Sequence, residues 1–198
     1  KALNQLKAPG GVFNVLGNHD HWAGHELAME LLETSGQSLR KKTTTLTLGN
    51  DRMHIGGAGD LWEDHFEIAP VFKNVPNEEF RILLAHNPDS VDTIEGPPMD
   101  LILSGHTHGG QIVLPFIGAL KLPVKNKTYS QGLIPTKNGP VFIIYDPRYP
   151  DARSNVASIQ VAAFLPQFFQ SDEDARAVKG FPAVISRHGI KWPLPELA

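Results

Sequence analysis

Three short apolar runs set the frame of this chain: residues 12–16, 82–85 and 101–103. Each has the length of a buried strand rather than a helix, and each stops at Gly, His or Ser. They predict strands at 12–16, 81–85 and 100–104. Residues 43–48 and 52–56 are β-branched and apolar and flank Gly49-Asn50-Asp51, the pattern of a hairpin. A second hairpin is expected at 129–134 and 140–145, around Lys137-Asn138-Gly139. Helical spacing is clearest at Leu27, Ala28, Leu31 and Leu32, which predicts one amphipathic helix over about residues 24–34 with Gly36 as its stop. Asp89 or Ser90 is placed to cap a short helix.

After Tyr145 the texture changes. Asp146-Pro147-Arg148-Tyr149-Pro150-Asp151 is a turn-rich join, and the segment running to Ala198 carries no chemical motif. The expected organisation is therefore a domain at 1–145 and a divergent or inserted C-terminal segment at 146–198.

Composition narrows the chemistry. With 198 residues the chain suffices for one well-buried domain. Its 18 basic and 21 acidic residues leave a net charge of −3, so no general cationic field draws nucleic acid. Cysteine is absent, which leaves His, Asn, Asp and Glu as the metal ligands on offer. No run approaches the roughly 20 apolar residues of a membrane-spanning helix. The first residue is Lys rather than Met, so the expectation is a piece of a longer chain, with localisation left open.

Three histidine motifs stand directly after the three apolar runs. They are Gly17-Asn18-His19-Asp20, His86-Asn87-Pro88-Asp89 and Gly105-His106-Thr107-His108. Each should lie in the loop leaving its strand, and strands that end together bring such loops together. Imidazole nitrogens with an amide oxygen suit Zn, Mn, Fe or related divalent ions. Gly105, Gly109 and Gly110 let the backbone bend tightly, so that His106 and His108 can serve two neighbouring ions. His19 is free to meet substrate, and Asp20 beside it can orient the ring and raise its basicity.

In this order the motifs resemble those of the calcineurin-like metallophosphoesterases, over about residues 12–142. The wording of Gly59-Asp60-Leu61-Trp62, Leu83-Leu84-Ala85-His86-Asn87-Pro88-Asp89 and Leu103-Ser104-Gly105-His106-Thr107-His108-Gly109-Gly110-Gln111 resembles a bacterial branch of membrane-associated phosphodiesterases, UDP-2,3-diacylglucosamine hydrolases among them. The resemblance implies an α/β (α+β) fold, a four-layer αββα sandwich, N-terminally incomplete here. It also implies two divalent ions (Mn, Zn, Fe or Mg), roughly 3.5 to 4 Å apart in such sites, and a metal-bound hydroxide as nucleophile. Asn18, His86 and His106 would bind one ion and His108 the other, with His19 as the transition-state histidine and Asp20 as its partner. His21, Trp62 and Gln111 are candidate substrate contacts. The implied substrate is a phosphodiester or pyrophosphate, small or lipid-linked, and the branch implies a membrane-associated bacterial parent.

Two departures accompany these matches. The family's Asp-x-His and Gly-Asp-x-x-Asp motifs, which supply the remaining ligands and the bridging carboxylate, do not occur upstream of Gly17 in this chain. Asp60 follows a glycine but comes after the first histidine motif, and it is not assigned as the bridge. A competing reading is accordingly a degenerate, non-catalytic module that binds a metal or a partner.

Overall fold

The computed structural model describes residues 8, 10–35, 37–48, 51–64, 66–110, 113–114, 118–119, 121–144 and 161–162. Its centre is a six-stranded mixed sheet, in spatial order β3 (Lys42–Leu48), β4 (Asp51–Gly57), β5 (Phe80–Leu84), β6 (Leu101–Ser104), β10 (Val141–Ile143), β9 (Gly132–Ile134). The four middle strands run parallel, and the two hairpin strands β3 and β9 pair antiparallel at the edges. A smaller sheet places β1 (Val12–Asn14) between β2 (Gln37–Ser38), parallel to it, and β11 (Val161–Ala162), antiparallel. A third, two-stranded ribbon joins β7 (Val113–Leu114) to β8 (Gly118–Ala119).

Residue alternation decides which face packs where. Ile82 and Leu84 of β5 and Leu101 and Leu103 of β6 join Ile55 of β4 against Phe13 and Val15, so one face of the large sheet is covered by the small one. Leu83, Ala85 and Ile102 point the other way, into a second core with Val71, Phe72, Val91, Leu122, Tyr129 and Ile143. That face is covered by loops and by a 3-10 turn, Pro88–Thr93, capped by Asn87. Strand β5 is buried from end to end, as a central parallel strand should be. Its one charged residue, Arg81, donates through Nη2 to Val75 O at 3.1 Å and to Asn77 Oδ1 at 2.7 Å. The fold is thus α/β as expected, with two stacked sheets forming the inner layers of a sandwich.

The helix differs from its sequence expectation. It is α1, Asn18–Ser35, and begins six residues before residue 24, so Asn18, His19 and Asp20 form its first turn rather than a loop. Gly24, at φ 127°, interrupts the helical path and mimics a start signal when read from sequence. Of the apolar positions, Leu32 is buried, whereas Leu27 and Leu31 are exposed among the described residues. In the 146–198 segment, Val161–Ala162 pairs with β1, and the remainder lies outside the described residues. No helix of the described residues is long and apolar enough to cross a membrane.

Gly57 closes β4 where the chain turns toward the site. A Cβ at this position would collide with the Leu39 carbonyl oxygen and approach Val15 Cγ1 to 2.6 Å. Backbone on one side and core on the other leave little room to relax. Gly57→Ala is expected to lower stability by about 1–3 kcal/mol, read as a shift of the denaturant midpoint, and an unchanged midpoint would show that the packing yields.

Candidate metal centre

Parallel pairing of β4, β5 and β6 sets their C-terminal ends side by side, and β1 ends against the same edge. Backbone bonds extend the alignment into the loops: Ala58 N donates to Leu84 O at 2.9 Å, Ala85 N to Leu103 O at 3.0 Å, and Gly105 N to His86 O at 3.0 Å. The residues delivered there are Asn18, His86 and His106, all buried. His86 Nε2 lies 3.0 Å from Asn18 Oδ1 and 3.3 Å from His106 Nδ1. Gly17 makes this approach possible, because a Cβ on it would sit 2.6 to 2.7 Å from three atoms of the His86 ring.

The tautomer of His106 follows from its other nitrogen. Nε2 lies 2.9 Å from Pro123 O, a group that can only accept, so Nε2 carries the proton and Nδ1 presents a lone pair toward His86. Asn18 Oδ1 and His106 Nδ1 are then two acceptors facing one His86 nitrogen. A divalent cation among them would satisfy all three, and ligands about 2.0–2.1 Å from a tetrahedral ion stand about 3.3 Å from each other. The donor set therefore fits a metal. Among the described residues, no three His, Asp or Glu side chains gather tightly enough to hold an ion by themselves, and the third donor beside His86 and His106 is the amide oxygen of Asn18.

His106 and His108 diverge from a strained turn. Both have positive φ, 65° and 55°, in the left-handed region that side chains disfavour. Thr107 between them anchors the turn through Oγ1 to Ser130 O at 2.6 Å, and Gly110 N closes it on Thr107 O at 3.0 Å. His106 turns toward His86, their ring centroids 5.1 Å apart, whereas His108 faces His19 at 6.3 Å. Burial lowers the pKa of His106 despite the Pro123 hydrogen bond and the charge of Asp60. Burial, then the proximity of His19, lowers that of His108. Both therefore stay in the neutral, metal-binding form to more acid pH than free imidazole.

The other sequence candidates divide. His19 is exposed at the mouth, its ring 4.9 Å from Trp22. Asp20 accepts from Gly17 N at 2.8 Å rather than from the His19 ring, so among the described residues it braces the turn that presents His19. Burial raises its pKa, with the Gly17 bond working against it. Trp62 packs edge-on to His106 with centroids 4.5 Å apart. His21 pairs instead with His25, one helical turn on, at 5.0 Å. Gln111 lies outside the described residues.

Sequence reasoning missed the loop that holds His106. Asp89, expected only as a helix cap, accepts from Lys125 N at 2.6 Å and Asn126 N at 3.0 Å, and so fixes the segment that presents Pro123 O. Lys127 Nζ ties the same loop through Leu122 O and Val124 O. No local pattern links Asp89 to that loop, since the contacts span 36 and 37 residues. A third missed contact is Trp22 Nε1 donating to Glu63 Oε1 at 2.8 Å, which joins α1 to the loop after β4.

Known proteins give the geometry a family. The chain is 38% identical over 136 residues to phosphodiesterase YaeI of Escherichia coli, covering 66% of this chain and 49% of the relative. It is 33% identical over 144 residues to the metallophosphoesterase YkuE of Bacillus subtilis, covering 71% and 50%. The chain belongs to the calcineurin-like metallophosphoesterases. Another member, the UDP-2,3-diacylglucosamine pyrophosphatase LpxG of Chlamydia muridarum, is 36% identical over 86 residues, 43% of this chain and 25% of that protein. This metallophosphoesterase chain spans about half the length of the first two relatives. No family model and no solved structure matches it.

The loop bearing Trp62 and Glu63 is braced by Asp64, which takes Arg40 Nε at 2.6 Å and Lys41 Nζ at 2.7 Å. Burial alone would raise the Asp64 carboxyl, but the two cations outweigh it and hold its pKa below the usual range. A depressed folded pKa means the contribution is complete above the unfolded value of about 3.9 and is lost as pH falls through the folded one. Denaturant midpoints of the parent and Asp64→Asn should accordingly differ most above about pH 4 and converge on acidification. A difference independent of pH would rule out the charge as its source.

Proposed function

We propose that the protein containing this chain hydrolyses phosphoester bonds, preferentially phosphodiesters or pyrophosphates, with Asn18, His86 and His106 holding one divalent ion and His108 contributing to a second. The observation that carries this reading is the convergence of Asn18 Oδ1 and His106 Nδ1 on His86 Nε2, at 3.0 and 3.3 Å. Bound divalent ions supply Lewis acidity toward the phosphoryl oxygens and activate water at neutral pH. The chain's own groups divide the remaining work. His19, at the mouth and facing His108, is placed to stabilise charge on the phosphoryl group or to protonate the leaving oxygen. Asp20 holds that histidine's turn through Gly17 N. The Pro123 carbonyl keeps the His106 proton on Nε2, leaving Nδ1 for the ion.

Substrate size and polarity are suggested by the rim. Trp22 is 60% exposed and Trp62 48%, and they flank His19 and His106 respectively. Exposed indoles beside a phosphate site suit a substrate with an apolar portion next to its phosphate, which favours the lipid-linked class. Similarity to LpxG, a UDP-2,3-diacylglucosamine pyrophosphatase, supports the same class, and similarity to YaeI, a phosphodiesterase, supports phosphodiester hydrolysis. Residues 1–145 would form the unit that carries this chemistry, and residues 146–198 a divergent segment, inserted or atypical, that adds β11 beside β1.

The test uses the full-length protein, with metal content and hydrolysis of a chromogenic phosphodiester measured on the same preparations. His19→Ala should lose about 10²- to 10⁴-fold in turnover while keeping its metal. His106→Ala should lose the metal and the activity together. Retention of both by His106→Ala would refute the assignment.

A further inference from the structure

The loop after β4 carries a carboxylate that none of the roles above uses. Asp60 is 2% exposed. Its Oδ1 accepts from Trp62 N at 2.9 Å and Glu63 N at 3.1 Å, which fixes the turn. Its Oδ2 is buried and, among the described residues, has no hydrogen-bond partner. Leaving a carboxylate oxygen buried and unmet is costly, and such groups persist where a cation or donor completes them.

The surroundings identify that completion. Asp60 leaves the C-terminal end of β4, one strand from His86 and two from His106, on the edge where the metal-type donors collect. Two residues on, Trp62 packs its ring against His106. The charge of Asp60 is felt at His106, where it opposes the effect of burial, and at Asp20, where it adds to it. The donors this chain gathers at that position are a neutral amide and two imidazoles, none of which offsets the charge of a divalent ion in a largely buried place. An anion nearby offsets that cost.

We propose that Asp60 is a charge-balancing carboxylate of this metal centre, its Oδ1 fastening the loop and its buried Oδ2 serving the cation that Asn18, His86 and His106 would hold. The proposal rests on the metal reading given above.

Asp60→Asn separates the two oxygens, because the amide keeps an acceptor for Trp62 N and Glu63 N while removing the charge. In the full-length protein, metal-free Asp60→Asn should unfold at the parent's midpoint, yet bind Mn²⁺ about 10- to 100-fold more weakly by calorimetric titration. Asp60→Glu should recover part of that affinity. Parental Mn²⁺ affinity in Asp60→Asn, or equal losses in the Asn and Glu variants, would overturn the proposal. His106→Ala is measured alongside: if it too keeps Mn²⁺, the metal reading itself fails, whereas loss in His106→Ala with retention in Asp60→Asn removes only the role of Asp60.

Discussion

The parallel hydrogen-bonded register of β4, β5 and β6 is the constraint on which the site depends. Strand pairing fixes neighbouring backbones along their length, so three loops separated by tens of residues in sequence begin at one edge and at one height. From that edge His86, His106 and the Asp60 turn need only a few residues each to converge. The bonds from Ala58, Ala85 and Gly105 carry the alignment past the strands themselves. A ladder built by apolar residues on both faces thus places polar side chains that contribute nothing to the ladder.

Much of this was legible in the chain. The apolar runs at 12–16, 82–85 and 101–103, ending at Gly, His and Ser, locate the buried strands and the loops that leave them, because these signals are local. The same locality explains the helix. Gly24 reads as a start, yet helical residues lie on both sides of it, and the turn that begins α1 depends on Asp20 reaching back to Gly17 N. That bond also redirects Asp20 from the partner of His19 to the brace of its turn. A three-residue hydrogen bond forms with little chain entropy to overcome, so it competes well against a side-chain pairing at the surface.

What sequence could not supply were contacts made across distance. Asp89 reaches Lys125 and Asn126, and Trp22 reaches Glu63; no periodicity connects such positions. The His106 tautomer depends on a proline carbonyl seventeen residues away, and a carbonyl carries no side-chain signature. Metal sites are especially exposed to this blindness. Their ligands announce themselves by residue type, while the groups that orient the ligands are often backbone atoms.

The left-handed turn at His106 and His108 has a mechanical consequence. With Thr107 locked to Ser130 and both histidines held at positive φ, the two rings are carried by a single stiff segment rather than by independent loops. Displacing one ring therefore swings the other, so the separation of the two rings is written into one short stretch of backbone. The segment acts as a spacing gauge, and its accuracy comes from conformations that an unconstrained chain would abandon.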